Sequence, residues 1–64
     1  MIKMTSKSGA TIWFNVMNIF SVAEDSKGTL IRTTTNQVTV VQEDLDTVVR
    51  AIEKQLIFLS GGGQ

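Results

Sequence analysis

The first part of the chain alternates apolar and polar positions, which is the pattern of half-buried β-strands. Ile2 and Met4 alternate with polar neighbours, and Ile12 and Phe14 repeat the pattern on the next run. The segment between them, residues 6–9, is polar and ends in glycine, a residue that accepts positive φ in turns. The spacing predicts that the two runs pair as a β-hairpin.

Three further apolar runs, each bounded by polar residues, predict three more strands. They cover residues 19–23, 29–34 and 37–42, with polar turns at 24–28 and 35–36 and a tight connection at 15–18. The last two runs are rich in β-branched side chains, which favour extended chain. In the first of the three, alternation separates Ile19, Ser21 and Ala23 from Phe20 and Val22, without showing which face is buried.

From residue 45 onward the apolar period becomes that of an α-helix. One stripe of apolar side chains recurs at helical spacing: Leu45, Val48, Val49, Ile52, Leu56 and Leu59. Asp44 is a favourable N-cap, because its carboxylate can accept hydrogen bonds from free N–H groups of the first turn. Asp46 and Arg50 stand four residues apart, in the order that stabilises a helix by about 0.3–0.5 kcal/mol.

These elements predict an α+β fold, a small antiparallel β-meander of about five strands capped by one C-terminal helix. We expect residues 1–60 to form a single domain and residues 61–64 to form a disordered, glycine-rich tail. Ser60 and the glycines after it are the predicted stop signal of the helix.

The end of the helix carries more apolar side chains than one stripe needs. If the helix continues to Leu59, then Ile57 and Phe58 point away from the stripe. Either the helix ends near Leu56 and the tail packs as extended chain, or these side chains contact another subunit. The second interpretation is favoured.

Composition removes most of the usual ways of stabilising or activating so small a domain. A chain of 64 residues buries a marginal core, and such scaffolds commonly rely on disulfides, a metal or a partner subunit. The sequence has no cysteine and no histidine, which excludes disulfides, thiolate zinc sites and imidazole bases. We therefore expect a homo-oligomer with no cofactor and no metal site.

The N-terminal residues are too polar for a signal peptide, and no apolar run approaches transmembrane length. The absence of cysteine agrees with a reducing compartment. We expect a cytoplasmic protein without membrane insertion.

Candidate catalytic groups are few, and each has a simpler interpretation. Ser6, Lys7 and Ser8 place nucleophiles beside an amine, but the segment is typical of a solvated turn. The carboxylates at residues 24–25 fit a turn. Those at residues 43–46 fit a helix N-terminus and lack the spaced ligand loop of a calcium site. We expect no catalytic residue and no enzymatic activity.

Trp13 and the apolar helix end form the candidate interface. Trp13 lies opposite Ile12 and Phe14 on its strand, so it is exposed unless a curled sheet buries both faces. Its role stays open between packing within the fold, a protein interface and stacking on single-stranded nucleic acid. The candidate interface residues are Trp13, Ile57, Phe58 and Leu59.

Two polar features admit other functions. Five threonines between residues 29 and 39 admit contact with sugar or ice, although their β-propensity on a solvated face is the favoured interpretation. They are Thr29, Thr33, Thr34, Thr35 and Thr39. Six basic and six acidic residues give zero net charge, unlike a dedicated nucleic-acid binder. Folding could still gather the candidate nucleic-acid contacts Lys3, Lys7, Lys27 and Arg32 on one side of the sheet.

Several short motifs resemble the small flagellar-associated FlbD family over roughly residues 1–53. The matching segments are Met1-Ile2-Lys3-Met4-Thr5, Ser8-Gly9, Phe14-Asn15, Ile19, the threonine-rich strand, and Val40-Val41-Gln42-Glu43 leading into a Val/Ile helix. The resemblance implies a cytoplasmic, non-enzymatic protein linked to motility, and the chain also looks similar to small proteins of phages and mobile elements. The chain departs from the family pattern at Thr34-Thr35-Asn36-Gln37, where the family has Thr-Gly-Lys-Lys, and at Asp44, where the family has Ser.

A second similarity runs from Ile19 to Lys54, which resembles part of the LytTR type of DNA-binding domain without any base-contacting motif. Two functions follow. The first is a non-enzymatic interaction or assembly module that self-associates and binds a protein partner. The alternative is a small nucleic-acid-binding transcriptional regulator of a phage or mobile element.

Overall fold

A computed structural model describes residues 1–59 of the chain. Its elements, in chain order, are β1 (Ile2–Thr5), β2 (Thr11–Phe14), a 3-10 turn (Val16–Asn18), β3 (Ile19–Asp25), β4 (Gly28–Thr33), β5 (Val38–Val41) and α1 (Leu45–Leu59). The predicted α+β fold with five antiparallel strands and one C-terminal helix is confirmed, with the strands divided between two sheets. The predicted stop signal at Ser60 and the predicted tail lie outside the described residues.

The first sheet is the predicted hairpin of β1 and β2. Ile2 pairs with Phe14 and Met4 pairs with Ile12, so one face of the hairpin is apolar. On this face the side chains of Ile2, Met4 and Phe14 are buried. The turn is closed by Ser6, whose hydroxyl oxygen accepts a hydrogen bond from the backbone N–H of Ala10 at 3.0 Å. The local pattern was therefore sufficient to place this hairpin.

The second sheet has the order β3-β4-β5, and its first turn is tighter than predicted. Residues 24–28 were expected to form a polar turn, but β3 continues through Asp25 and β4 begins at Gly28. The turn is stabilised by the Asp25 carboxylate, which accepts from the backbone N–H of Lys27 at 3.1 Å. Gly28 has a φ of 146°, and a Cβ there would collide with the carbonyl oxygen of Val41. Only glycine fits this close approach of two strands.

A bulge in β3 changes which side chains face the core. The register of β3 against β4 shifts between Ile19 and Ser21. Ile19 and Val22 were predicted to lie on opposite faces of β3, and this is wrong. The extra residue at the bulge brings both side chains to the core side, where they pack against buried residues. Phe20 lies at the bulge and is 72% exposed.

The core lies between the two sheets and the helix. Ile31 on β4, Val41 on β5 and Val48 on α1 are completely buried. Thr29 is the one buried polar residue among those described, and its hydroxyl donates to the backbone carbonyl of Glu43 at 2.8 Å. Because this hydroxyl is paired, its burial carries little penalty.

The two sheets are joined at a corner formed by Thr5, Gln42 and Glu43. The backbone N–H of Gln42 donates to the carbonyl of Thr5 at 2.8 Å. The Glu43 carboxylate accepts from both the backbone N–H and the hydroxyl of Thr5, each at 2.9 Å. Burial raises the pKa of Glu43, but the hydrogen bonds from Thr5 and from its own N–H together outweigh it and lower the pKa.

The helix begins as predicted. The Asp44 side chain accepts from the backbone N–H of Thr47 at 2.9 Å, and this hydrogen bonding lowers the pKa of Asp44. Arg50 and Asp46 form the predicted ion pair at 3.0 Å. The sequence signals at this end of α1 are thus confirmed.

The other end of the helix departs from the predicted stripe. The helix continues through Leu59, so the alternative in which it ends near Leu56 is wrong. Ala51 and Ile52 are the last residues of the helix that pack against the core, while Leu56 is 44% and Leu59 is 56% exposed. The stripe therefore covers the core only along the first part of α1.

Candidate interaction surface

The C-terminal end of α1 carries exposed apolar side chains. Ala51 and Ile52 are the last apolar residues of the helix that pack against the core. Phe58 is 72% and Ile57 is 58% exposed at this end.

An open cleft of about 390 Å³ lies between the helix end and β1, and we call it the helix cleft. Its lining is Ile2, Lys3, Ala51, Lys54, Gln55 and Phe58. The lining is mainly apolar with two lysines, and it contains no acidic residue. Such a cleft can accept an apolar side chain from another molecule while its lysines stay hydrated.

The Trp13 side chain is 59% exposed. The interpretation that it packs within the fold is therefore wrong. Lys3 is its cross-strand partner, and the Lys3 ammonium lies 6.0 Å from the centroid of the indole ring. This distance is at the outer limit of a cation–π interaction. Lys3 also lines the helix cleft with Phe58, so it connects two regions that are far apart in sequence. We call this region, comprising Trp13, Lys3, Lys54 and Phe58, the Trp13–Phe58 surface.

The structure does not bring all four predicted interface residues together. Ile57 follows Val48 by nine positions, which at about 100° per residue puts it on the opposite side of the helix. Leu59 follows Val48 by eleven positions and lies on the core-facing side, beyond the end of the core. Trp13 and Phe58 are related through Lys3, which lies near the indole ring and lines the helix cleft with Phe58. Leu59 and Ile57 are in neither contact.

The four candidate nucleic-acid contacts are dispersed. Lys3 lies beside Trp13, and Arg32 lies on β4 opposite Val38, on the face away from the buried residues. Lys7 and Lys27 occupy the turns of the two sheets. The structure thus does not form one basic face from these residues.

A second cleft, of about 350 Å³, lies between the end of the first hairpin and the β4–β5 turn. We call it the threonine cleft. It is lined by Met1, Ile12, Trp13, Phe14, Asn15, Asn18, Thr33, Thr35, Gln37 and Thr39. No charged side chain is in this set. Sequence reasoning missed Asn18 and Gln37, because the segments that carry them meet only in the folded chain.

Most of the acidic and hydroxyl groups considered for catalysis have structural partners. The hydroxyls of Ser6 and Ser8 are hydrogen bonded to each other at 2.9 Å within the hairpin turn. Asp25 holds the β3–β4 turn, and Glu43 and Asp44 hold the corner and the helix start. Within residues 1–59, acidic side chains form no group of three or more that could hold a metal ion. In the same part of the chain, no helix is both long and apolar enough to cross a membrane.

The fold and its exposed end define a class of protein, a small α+β domain that presents an apolar surface beside two open clefts. A family model described as FlbD, flagellar and swarming motility proteins, matches residues 1–56. The chain belongs to this family, which confirms the resemblance found in its motifs. No curated protein and no solved structure matches the chain. The family match includes Trp13, Lys3 and Lys54 and ends before Phe58.

Proposed function

We propose that this chain is a non-enzymatic, cytoplasmic assembly module linked to motility, which self-associates through the Trp13–Phe58 surface and in that state binds a protein partner. The observation that carries the proposal is the exposed end of α1, where Phe58 is 72% exposed and lines a cleft with Ile2 and Ala51. Family membership supports the link to motility. The small size of the chain supports the need for a second subunit.

A two-fold arrangement fits this geometry. In such an interface the same patch occurs on both subunits, so each subunit offers a protruding group and a cleft. Phe58 of one copy can enter the helix cleft of the other, against Ile2 and Ala51. Aromatic side chains are common anchors at the centres of interfaces. The surface of one chain thus supplies both parts of the contact.

Sedimentation equilibrium or light scattering over micromolar concentrations tests the proposal. We expect a mass of twice 7.0 kDa for the wild-type chain. Replacing Phe58 by Ser removes aromatic area worth ~2–3 kcal/mol, which weakens association roughly 30- to 150-fold per contact. A wild-type mass of 7.0 kDa at all concentrations would contradict self-association.

Phe20 offers a matched control, because it is the same residue type with the same 72% exposure at a different site. The Phe20→Ser variant should assemble as the wild type does. If Phe20→Ser dissociates the assembly and Phe58→Ser does not, the interface lies at the edge of β3, and the proposed surface is wrong.

A further inference from the structure

The threonine cleft combines an exposed aromatic ring with neutral hydrogen-bonding side chains. Trp13 lines it and is 59% exposed. The opposing wall carries Thr33, Thr35, Gln37 and Thr39 from the end of β4, the following turn and β5. From this combination we propose that the threonine cleft is a binding site for a neutral carbohydrate.

Several polar groups in the cleft have no partner within the described part of the chain. The side chains of Asn18, Gln37 and Thr39 make no hydrogen bond to another residue of 1–59. The hydroxyls of Thr33 and Thr35 are 3.0 Å apart, and either can be the donor. Each amide and hydroxyl offers both donor and acceptor capacity. These groups suit a ligand whose own polar groups are hydroxyls, which also donate and accept.

The side chains that line the cleft are uncharged. No lysine, arginine, aspartate or glutamate is among them, and the charged group in the lining is the N-terminal ammonium of Met1. A sugar ring is uncharged, and its C–H face can pack on an aromatic ring while its hydroxyls bond the polar wall. The side chains of the lining therefore fit a neutral sugar.

The walls of the cleft are held in place by backbone hydrogen bonds. The N–H of Thr34 donates to the carbonyl of Asn18 at 2.8 Å and connects the two sides. Two backbone hydrogen bonds close the β4–β5 turn. The N–H of Thr33 donates to the carbonyl of Gln37 at 2.9 Å, and the N–H of Asn36 donates to the carbonyl of Thr33 at 3.0 Å. Asn36 adopts the left-handed conformation with φ 67°. A preorganised wall reduces the ordering cost of binding.

The single tryptophan of the chain provides a direct test. The full chain is titrated with maltohexaose, cellohexaose and chitohexaose up to about 10 mM, which would saturate a site with a Kd near 1 mM. Trp13 fluorescence and the NMR signals of its indole N–H and of the Asn18 and Gln37 amides are recorded. We expect a saturable change in these signals with at least one neutral sugar, and a weaker response to the anionic polygalacturonate.

Two substitutions then locate the contact. Thr39→Val keeps the β-branched shape and removes the hydroxyl, and Gln37→Ala removes the amide. Each should weaken binding about three- to tenfold, as expected for one lost hydrogen bond. Thr34→Val is the matched control, since Thr34 lies in the same run and outside the lining, and it should bind as the wild type does.

Four results would overturn the proposal. The first two are the absence of a saturable change with every neutral sugar, and wild-type sugar affinity in both Thr39→Val and Gln37→Ala. The other two are signal changes that map to the helix cleft instead, and binding of an extended peptide along the free edge of β2 with no sugar response. Trp13 belongs to both proposed sites, so the titration is repeated on Phe58→Ser. If that variant is monomeric and still gives no saturable sugar response, the sugar proposal fails by itself.

Discussion

The two ends of α1 differ in their side-chain contacts: the first is held by polar contacts within the domain, and the second exposes apolar side chains. At the N-terminal end, Asp44 caps the helix, Asp46 pairs with Arg50, and Glu43 holds the first hairpin. At the C-terminal end, apolar side chains are exposed, and Phe58 is 72% exposed. The comparison separates residues that stabilise the fold from residues that the fold does not use internally. An apolar group that is exposed at a cost in hydration is a candidate for contact with another molecule.

The largest expected effect tests whether the ends really differ in their importance for folding. Val48 is completely buried near the start of the helix. Val48→Asp places an unpaired carboxylate in the core, which costs several kcal/mol and is comparable with the whole stability of a small domain. We expect loss of the native far-UV circular dichroism spectrum. Phe58→Asp, the control at the other end, should retain it, and unfolding of both variants would remove the distinction.

The next effect concerns the corner that links the helix start to the first hairpin. Glu43→Gln keeps the shape of the side chain and removes the charge that strengthens two hydrogen bonds from Thr5. We expect a loss of about 1–2 kcal/mol in the free energy of unfolding, measured by urea denaturation. A change below the error of that measurement would show that the corner is held by its backbone contacts alone.

The pKa of Glu43 adds a pH dependence to the same variant. Because the folded state lowers this pKa, the charged carboxylate stabilises the fold above the unfolded-state pKa, about 4.3. This contribution is lost as the pH falls from that value through the folded-state pKa. The free energy of unfolding of Glu43→Gln should therefore decrease less steeply with falling pH than that of the wild type. Parallel curves for the two proteins would contradict this assignment.

A smaller effect concerns the C-terminal end of α1, where the lysines of the helix cleft should make self-association depend on salt. Lys3 and Lys54 line the helix cleft, so the proposed self-association through this surface would bring the lysines of both copies near one another. Like charges repel, so added salt should strengthen association, and Lys54→Gln should strengthen it about two- to fivefold at low salt. Lys27→Gln, in the β3–β4 turn, is the control. Association that weakens with salt would indicate oppositely charged surfaces instead.

The smallest effect belongs to the exposed ion pair at the helix start. The side chains of Arg50 and Asp46 are 78% and 70% exposed. Arg50→Gln should lower the free energy of unfolding by about 0.5 kcal/mol or less, because solvent and ions screen the pair. Urea denaturation at low and high salt measures this. A loss above about 1 kcal/mol would show a wider charge network than the pair itself.

The sequence predicted elements best where the cause was local. The Asp44 cap, the Asp46–Arg50 pair and the first hairpin all depend on residues a few positions apart. The bulge at Phe20 was not predicted, because no glycine or break in the apolar run marks it. Strand β3 was predicted too short, because Glu24 and Asp25 are polar residues that pair with β4 all the same.

The candidate site was predicted only in part, for the same reason. Trp13 and Phe58 were identified from their excess apolar character, but their connection through Lys3 depends on how the hairpin docks beside the helix. The threonines of the polar wall were interpreted as a solvated face. Their position opposite Trp13 depends on packing between the two sheets, which no local pattern records.

The bonds at the Thr5–Glu43 corner also have a consequence for the order of folding during synthesis. They join residues 38 positions apart, and Gln42 bonds the carbonyl of Ser6 across 36 positions. A two-stranded hairpin is at best marginally stable alone. The N-terminal hairpin therefore has no stable partner until the ribosome has released the chain beyond Glu43. Within the domain, the first hairpin is therefore fixed only together with the start of α1, through contacts that are distant in sequence.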